Sequence, residues 1–237
     1  MTDALNNMEP KKLLAEIDAE MKRIALQIEQ LTERRKSLGL KPSEEKKNLK
    51  DEINSLTLLL EELKDEEDAI ISGTLEHCGI NWRTIDLDED YNRALVISED
   101  VLEMMPFHEM DGEATWENSS LRWWLNTEFY ENLPAYMRIR IVEVALQNQS
   151  GSSVPNRKSL HNKVFLLSED EAEYYFEDTA DRIASYQDTP VCWWLRSPSS
   201  GDTNGVASVG DDGNIYDNDE SLDDHGYGVR PAMWIRL

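Results

Sequence analysis

The 237-residue chain carries 48 acidic against 24 basic side chains, a formal net charge of −24. A polyanion requires a basic face to displace its counterions, so nucleic acid is excluded as a partner on charge grounds. Hydrophobic residues make up 40% of the chain, enough for one large domain or for one domain plus an extension. Cys78 and Cys192 give neither a zinc spacing nor a disulfide framework; a reducing compartment is the simpler reading, with one long-range disulfide as the alternative. No apolar run approaches a membrane span, and Met1–Lys12 has no signal-peptide core. These features predict a cytoplasmic chain without membrane insertion, with display on a phage virion or cell surface as the other possibility.

Residues 1–72 read as a coiled-coil helical hairpin. Leu14, Ile17, Met21, Ile24, Ile28, Leu31 and Leu38 alternate at spacings of three and four, broken only by Arg35. A second run, Leu49, Ile53, Leu56, Leu60, Leu63 and Ile70, repeats the rhythm, with Glu67 at the interrupted position. Between them Gly39 suits a helix end, Pro42 cannot continue the helix and Ser43 can cap the next one. Two helices joined by a short turn predict an antiparallel hairpin. A narrow apolar stripe buries little, so self-association of the coiled coil is expected, the alternative being an arm packed on its own domain.

Residues 73–237 read as a second domain, and the fold class as α+β. Trp82–Leu87 alternates like a strand, Asp88–Asn92 supplies a turn and Ala94–Ile97 a second strand. Leu121, Trp124, Leu125 and Phe129 share a helical face after Asn118-Ser119-Ser120, and a short helix is expected after Pro134. Lys163–Leu167 has the composition of a buried strand. The tetrad Ser168-Glu169-Asp170-Glu171 is a capping box that opens a helix through Tyr174 and Phe176. Strands are expected at Val206–Val209, Ile215–Tyr216 and Val229–Leu237, with a hairpin turn at Asp212-Gly213.

Four ordered phrases carry a resemblance: TWENSSLRWWLN (115–126), NKVFLLSEDEAEYYF (162–176), CWWLRSP (192–198) and GVRPAMWIRL (228–237). They resemble a bacterial and phage domain family with the pattern W-E-N-x-x-L-R-x-W-L-N, K-V-F-L-L-S, W-W-L-R-S-P-G and G-V-R-P-A-L-W. Ser199-Ser200 stands where that pattern has Gly, and the stretch between Asp178 and Val191 is shorter. The resemblance implies a C-type-lectin-like fold. It also implies kinship with variable proteins of diversity-generating retroelements, in which a reverse transcriptase rewrites the codons of a C-terminal binding surface.

Catalytic chemistry finds little support. His77, His108, His161 and His225 fit no metal or nucleophile spacing and read as surface residues, and Cys192 beside Trp193-Trp194 reads as a buried structural thiol. The best calcium-loop candidate, Asp217-x-Asp219-x-Ser221, has Leu222 where a sharp turn needs Gly. No catalytic residue, metal ligand or cofactor is therefore expected. Alternation sends Trp193 and Trp194 to opposite strand faces, one toward the core and one toward the loop surface. Arg196 and Arg230 read as scaffold, bonded to carbonyls or carboxylates.

Between the last two framework motifs, residues 199–228 contain no Lys, Arg, Gln or Met and abound in Asp, Asn, Ser, Gly and Tyr. Turn chemistry uses these residues, and so does an adaptable contact surface. They are also the products of substituting the adenines of an Asn codon. The expected ligand-binding residues are Asp202, Asn204, Asp211, Asn214, Tyr216, Asn218, Asp219, Asp223, His225 and Tyr227. The expected function is non-enzymatic recognition of a protein or glycan ligand. A phage or cell-surface assembly protein is the alternative, and a formylglycine-generating-enzyme-like oxidoreductase a third.

Overall fold

The structure, a computed structural model, describes residues 10–38, 43–72, 80–109, 114–146, 160–199, 205–217 and 222–236. Among them are two long helices, α1 (Pro10–Ser37) and α2 (Glu44–Ser72). Short ones follow: α3 (Ser120–Trp124), α4 (Tyr130–Asn132), α5 (Ala135–Arg138), α6 (Glu169–Tyr175) and α7 (Thr179–Arg182). The strands are β1 (Trp82–Asp88), β2 (Arg93–Ser98), β3 (Glu103–Met104), β4 (Ile141–Val142), β5 (Val144–Leu146), β6 (Leu160–Asn162), β7 (Ala184–Tyr186), β8 (Thr189–Val191), β9 (Trp193–Pro198), β10 (Val206–Val209), β11 (Ile215–Tyr216), β12 (Gly228–Val229) and β13 (Ala232–Arg236). The chain divides into a helical unit, to which the segment 134–139 also belongs, and a β-rich unit.

In the helical unit α1 and α2 pack together along the heptad seam. Ile17, Ile24, Leu49 and Leu63 are buried, and Leu13, outside the expected seam, is buried with them. Met21, Ile28 and Leu56 stay half-buried, because one helix partner covers only a narrow stripe. Ser43 caps α2, its hydroxyl accepting the Lys46 N–H at 3.2 Å, and Arg34 pairs with Glu45 at 2.9 Å. Gly39–Pro42 and Ile70 of the expected hairpin lie outside the residues that can be described at side-chain level. Near its C-terminal end α2 holds α5. The Glu66 carboxylate accepts the N–H groups of Ala135 at 2.5 Å and Tyr136 at 2.9 Å, and Glu62 pairs with Arg138. Burial pushes the Glu66 carboxyl above the usual glutamate range, against the pull of the two N–H donors.

The β-rich unit contains a four-stranded sheet in the order β1-β2-β13-β4 and a five-stranded sheet in the order β11-β10-β9-β12-β3. All neighbours are antiparallel except β9 and β12. The expected final strand from Val229 to Leu237 is two strands. Arg230-Pro231 divides it, since Pro231 has no N–H for a ladder, and the chain passes from the five-stranded to the four-stranded sheet at that step.

Lys163–Leu167 also departs from expectation. Val164, Phe165, Leu166 and Leu167 are buried, yet the segment makes only a single bridge, Phe165 to Ala232. Most of the remaining backbone bonds shown for it come from side chains. The Asn126 amide accepts the N–H groups of Lys163 (2.9 Å) and Val164 (3.2 Å) and donates to the Val164 carbonyl (2.8 Å). Arg196 donates from Nη1 to the Leu166 carbonyl (2.8 Å) and from its backbone to the Leu167 carbonyl (2.9 Å). Arg196 also forks onto Glu171, and Glu171 closes the capping box with Ser168 at the start of α6.

Trp193 and Trp194 are both fully buried, so neither reaches the loop surface. β9 is central in its sheet, and both of its faces are covered. Trp193 donates to the Arg182 carbonyl at 3.0 Å, and Trp194 to the Met105 carbonyl at 2.9 Å. Arg230 is fully buried as well. Its Nε donates to the Ser98 carbonyl at 2.8 Å, and its guanidinium lies 5.2 Å from the Phe176 ring centre and 5.1 Å from that of Trp193. Burial lowers its pKa to about 10.

Replacing Asn126 with Ala strands three backbone groups of a buried segment, each worth about 1–3 kcal/mol. Asn126→Ala is expected to lower the unfolding free energy by about 3 kcal/mol or more in urea titration. Glu66 sets a pH dependence. Its native carboxyl binds a proton more tightly than the unfolded one, so its contribution is fully present below the ordinary value, about pH 4.3, and is lost as pH rises through the raised native value. The stability of the native chain relative to Glu66→Gln should therefore fall as pH rises from about 4.3 toward neutrality, as measured by urea unfolding at each pH.

Candidate functional site

The register of the five-stranded sheet brings distant segments together. Val209 of β10 lies opposite Trp193, and Gly228 of β12 lies beside the same residue in the parallel sense. The turn that follows Val209 and the loop that precedes Gly228 therefore leave the sheet at the same end. They are two strand spacings apart, about 10 Å. Residues 105–108, following β3, leave at that end too.

The first segment is the β10–β11 turn. Asp212 is its hub: its carboxylate accepts the Asn214 backbone N–H (3.0 Å), the Asn214 side-chain amide (2.7 Å) and the Tyr216 hydroxyl (2.9 Å). The Asn214 donors, then the Tyr216 hydroxyl, hold the Asp212 carboxyl below its usual range, and the bond to Asp212 pushes the Tyr216 phenol up. Gly213 sits at φ 79°, and a Cβ there would lie 1.9 Å from the Thr179 carbonyl oxygen. Arg182 of α7 donates from Nε to the Gly213 carbonyl at 2.9 Å and from Nη1 to the Phe176 carbonyl at 2.6 Å. The tip of the turn is thus fixed while Asp211, Asp212, Asn214 and Tyr216 stay exposed.

The second segment, 222–227, is pinned at both ends. Leu222 is buried, and its carbonyl accepts the His108 N–H at 2.9 Å. The Tyr227 carbonyl accepts the Met105 N–H at 3.1 Å, and the Tyr227 ring stacks on Trp194 with centroids 4.1 Å apart. Phe107 meets the same Trp194 edge-on at 6.0 Å. Between the pins Asp223, Asp224, His225 and Gly226 are exposed, and Asp224 accepts the Gly226 N–H at 2.7 Å.

Of the ten expected binding residues, Asp211, Asn214, Asp223 and His225 stand exposed at this sheet end, and Tyr216 opens onto it from β11. Tyr227 has one ring face covered by Trp194. Asp202, Asn204, Asn218 and Asp219 lie outside the described residues. Sequence reading left out Asp212, although an Asp two residues before an Asn and followed by Gly signals a side-chain-closed turn. It also left out Leu222, which anchors the acidic loop and was considered only as a flaw in a calcium motif.

His108 corrects the reading of the histidines as surface groups. It is buried, and its Nδ1 accepts the Ser120 N–H at 3.2 Å, tying residues 105–108 to the start of α3. Cys192 is half-buried rather than enclosed, and Cys78 and His77 lie outside the described residues. Among the described residues no group of three His, Cys, Asp or Glu side chains is placed to hold a metal ion. No described helix is long and apolar enough to cross a membrane.

Together these features define an α+β protein whose closely packed frame displays an acidic, polar loop surface at one end of a sheet. Residues 91–237 match the model of a family described as a domain of unknown function, DUF6273, and the chain belongs to that family. No curated protein and no solved structure matches the chain.

Gly213→Ala forces a left-handed backbone, costing about 1–2 kcal/mol, and sets a methyl group against the Thr179 carbonyl. The variant should unfold at lower urea than the native chain. Hydrogen exchange should be faster at the Gly210 N–H, which bonds the Asn214 carbonyl across the turn.

Proposed function

We propose that the chain is a non-enzymatic binding protein that recognises a protein or glycan ligand through residues 199–228. In this reading the domain has a C-type-lectin-like fold and belongs among the variable proteins of diversity-generating retroelements. The observation that carries it is the contrast between frame and surface at one sheet end. Trp193, Trp194, Val229 and Arg230 are fully buried, while Asp211, Asn214, Asp223 and His225 are exposed on turns held by backbone bonds to Gly210, Met105 and His108, Asn214 also donating to Asp212. A surface of this kind accepts new side chains with little effect on folding.

The helical hairpin adds avidity. Leu26 and Leu58 are exposed at 55% and 61%, and several seam positions are half-buried, which supports association with further copies. Weak sites displayed together bind strongly. The alternative, an assembly protein acting through its coiled coil, rests on the same exposed leucines.

Simultaneous randomisation of Asp211, Asn214, Asp223 and His225 tests the reading. Most clones should fold with a thermal midpoint within about 4 °C of the native chain, a change of under roughly 1 kcal/mol for a domain of this size. Clonal isolates should differ at adenine-bearing codons within 199–228 and not at Trp193, Trp194 or Arg230. General unfolding of the randomised clones, or uniform codons across 199–228, would sink the variable-surface reading.

A further inference from the structure

A concave site of a different character opens on the β-rich unit, and none of residues 199–228 is among its described lining. It is a cleft of about 700 Å³, within the range of small-ligand sites. Trp234 of β13 and its paired neighbour Leu95 of β2 supply apolar surface, with Phe165 beside them. Tyr174 and Tyr175 of α6 stand on the cleft, and Glu143 opens the β5 side.

Charge decides what fits. Two guanidinium groups line the cleft, and each is already neutralised within the protein. Arg93 pairs with Asp88 at 2.8 Å, and Arg196 forks onto Glu171, with one arm at 2.7 Å. Asp170 and Glu143 also line it, so among the described residues the two paired arginines, with their partners Asp88 and Glu171, and these two carboxylates leave a net charge of −2. His161 approaches Glu143 at 3.8 Å and compensates it only when protonated. Among the described residues a small anion finds no spare cation here, whereas a cation meets two carboxylates.

The aromatic rings favour the same choice. A ring face attracts a cation through its quadrupole. The cleft already contains an internal example: the Arg93 guanidinium lies 4.4 Å from the Trp234 ring centre and 5.0 Å from that of Tyr91. Tyr174 is 78% exposed and lies in a T-shaped contact with Tyr175 at 5.1 Å, so most of its ring surface is open to a ligand. At −24 the whole chain draws cations toward its surface.

We propose that this cleft binds an alkyl cation, an ammonium or guanidinium head on a short apolar stem. The head meets Asp170, Glu143 and the Tyr174 ring, and the stem lies on Trp234 and Leu95. Such a group arrives either as a free small amine or as a Lys or Arg side chain of a protein partner.

The test is a titration of the full chain with n-butylguanidinium, followed by the indole N–H resonance of Trp234, which Trp234→Phe assigns. A ligand of this size should bind with a dissociation constant on the order of 1 mM. The neutral isostere n-butylurea should leave the resonance unmoved. Glu143→Gln with Asp170→Asn should weaken n-butylguanidinium at least tenfold at an unchanged thermal midpoint, and Tyr174→Ala should weaken it by a smaller factor. A blocked Gly-Arg-Gly peptide that binds more tightly than n-butylguanidinium assigns the cation to a protein partner, and equal or weaker binding assigns it to a free amine. Equal responses to the urea, or equal affinity in the charge-neutralised variants, would overturn the proposal. Either result leaves the reading of residues 199–228 untouched, because the two sites share no described residue.

Discussion

The β-rich unit is organised around a charge that has no water. Arg230 is fully buried, and desolvation of a guanidinium is tolerable only where its donors and its π faces are met at once. Its contacts therefore fix several segments together: the Ser98 carbonyl at the end of β2, the Phe176 ring after α6 and the Trp193 ring at the start of β9. Arg182 completes the arrangement, since its carbonyl accepts the Trp193 indole and its side chain reaches Gly213. The exposed turn of the candidate site is held, through two intermediates, by the same buried cation.

Polar side chains elsewhere replace regular backbone pairing. Asn126 and Arg196 serve the segment 163–167, Glu171 serves both Ser168 and Arg196, and His108 ties residues 105–108 to α3. Such networks specify one arrangement because a half-satisfied network is worse than an apolar core. They also explain how a domain with strands of two to seven residues encloses several large aromatic side chains. Rigidity here comes from bonded side chains between elements more than from long ladders.

Local signals in the sequence were reliable. The capping box at Ser168 and Glu171, the Ser43 cap, the strand at Trp82–Leu87 and the Asp212-Gly213 turn each concern residues within a few positions of one another, and each is present. Leu87 is nevertheless exposed, and a register shift after Thr84 breaks the strand's alternation. What escaped depends on partners far along the chain. Nothing within Lys163–Leu167 indicates that Asn126 will take its N–H groups, so its apolar composition reads as a strand. Alternation correctly separates Trp193 from Trp194, but it carries no information on whether both strand faces are covered. The candidate surface was legible as a list of residues; its gathering depends on the parallel neighbours β9 and β12, which no short-range pattern encodes. The cleft was invisible for the same reason, since Trp234, Tyr174 and Glu143 come from three separate parts of the chain.

β13 carries one more implication. It lies inside the four-stranded sheet, between β2 and β4, and its partner residue Arg93 precedes Arg236 by most of the domain. Ribosomal synthesis proceeds from the N-terminus, so β2 emerges long before the strand that completes it. A polypeptide interrupted ahead of Arg230 keeps an open β2 edge and also lacks the buried cation, and open edges invite aggregation. Closure of the four-stranded sheet therefore waits on β13, however early β1 and β2 pair.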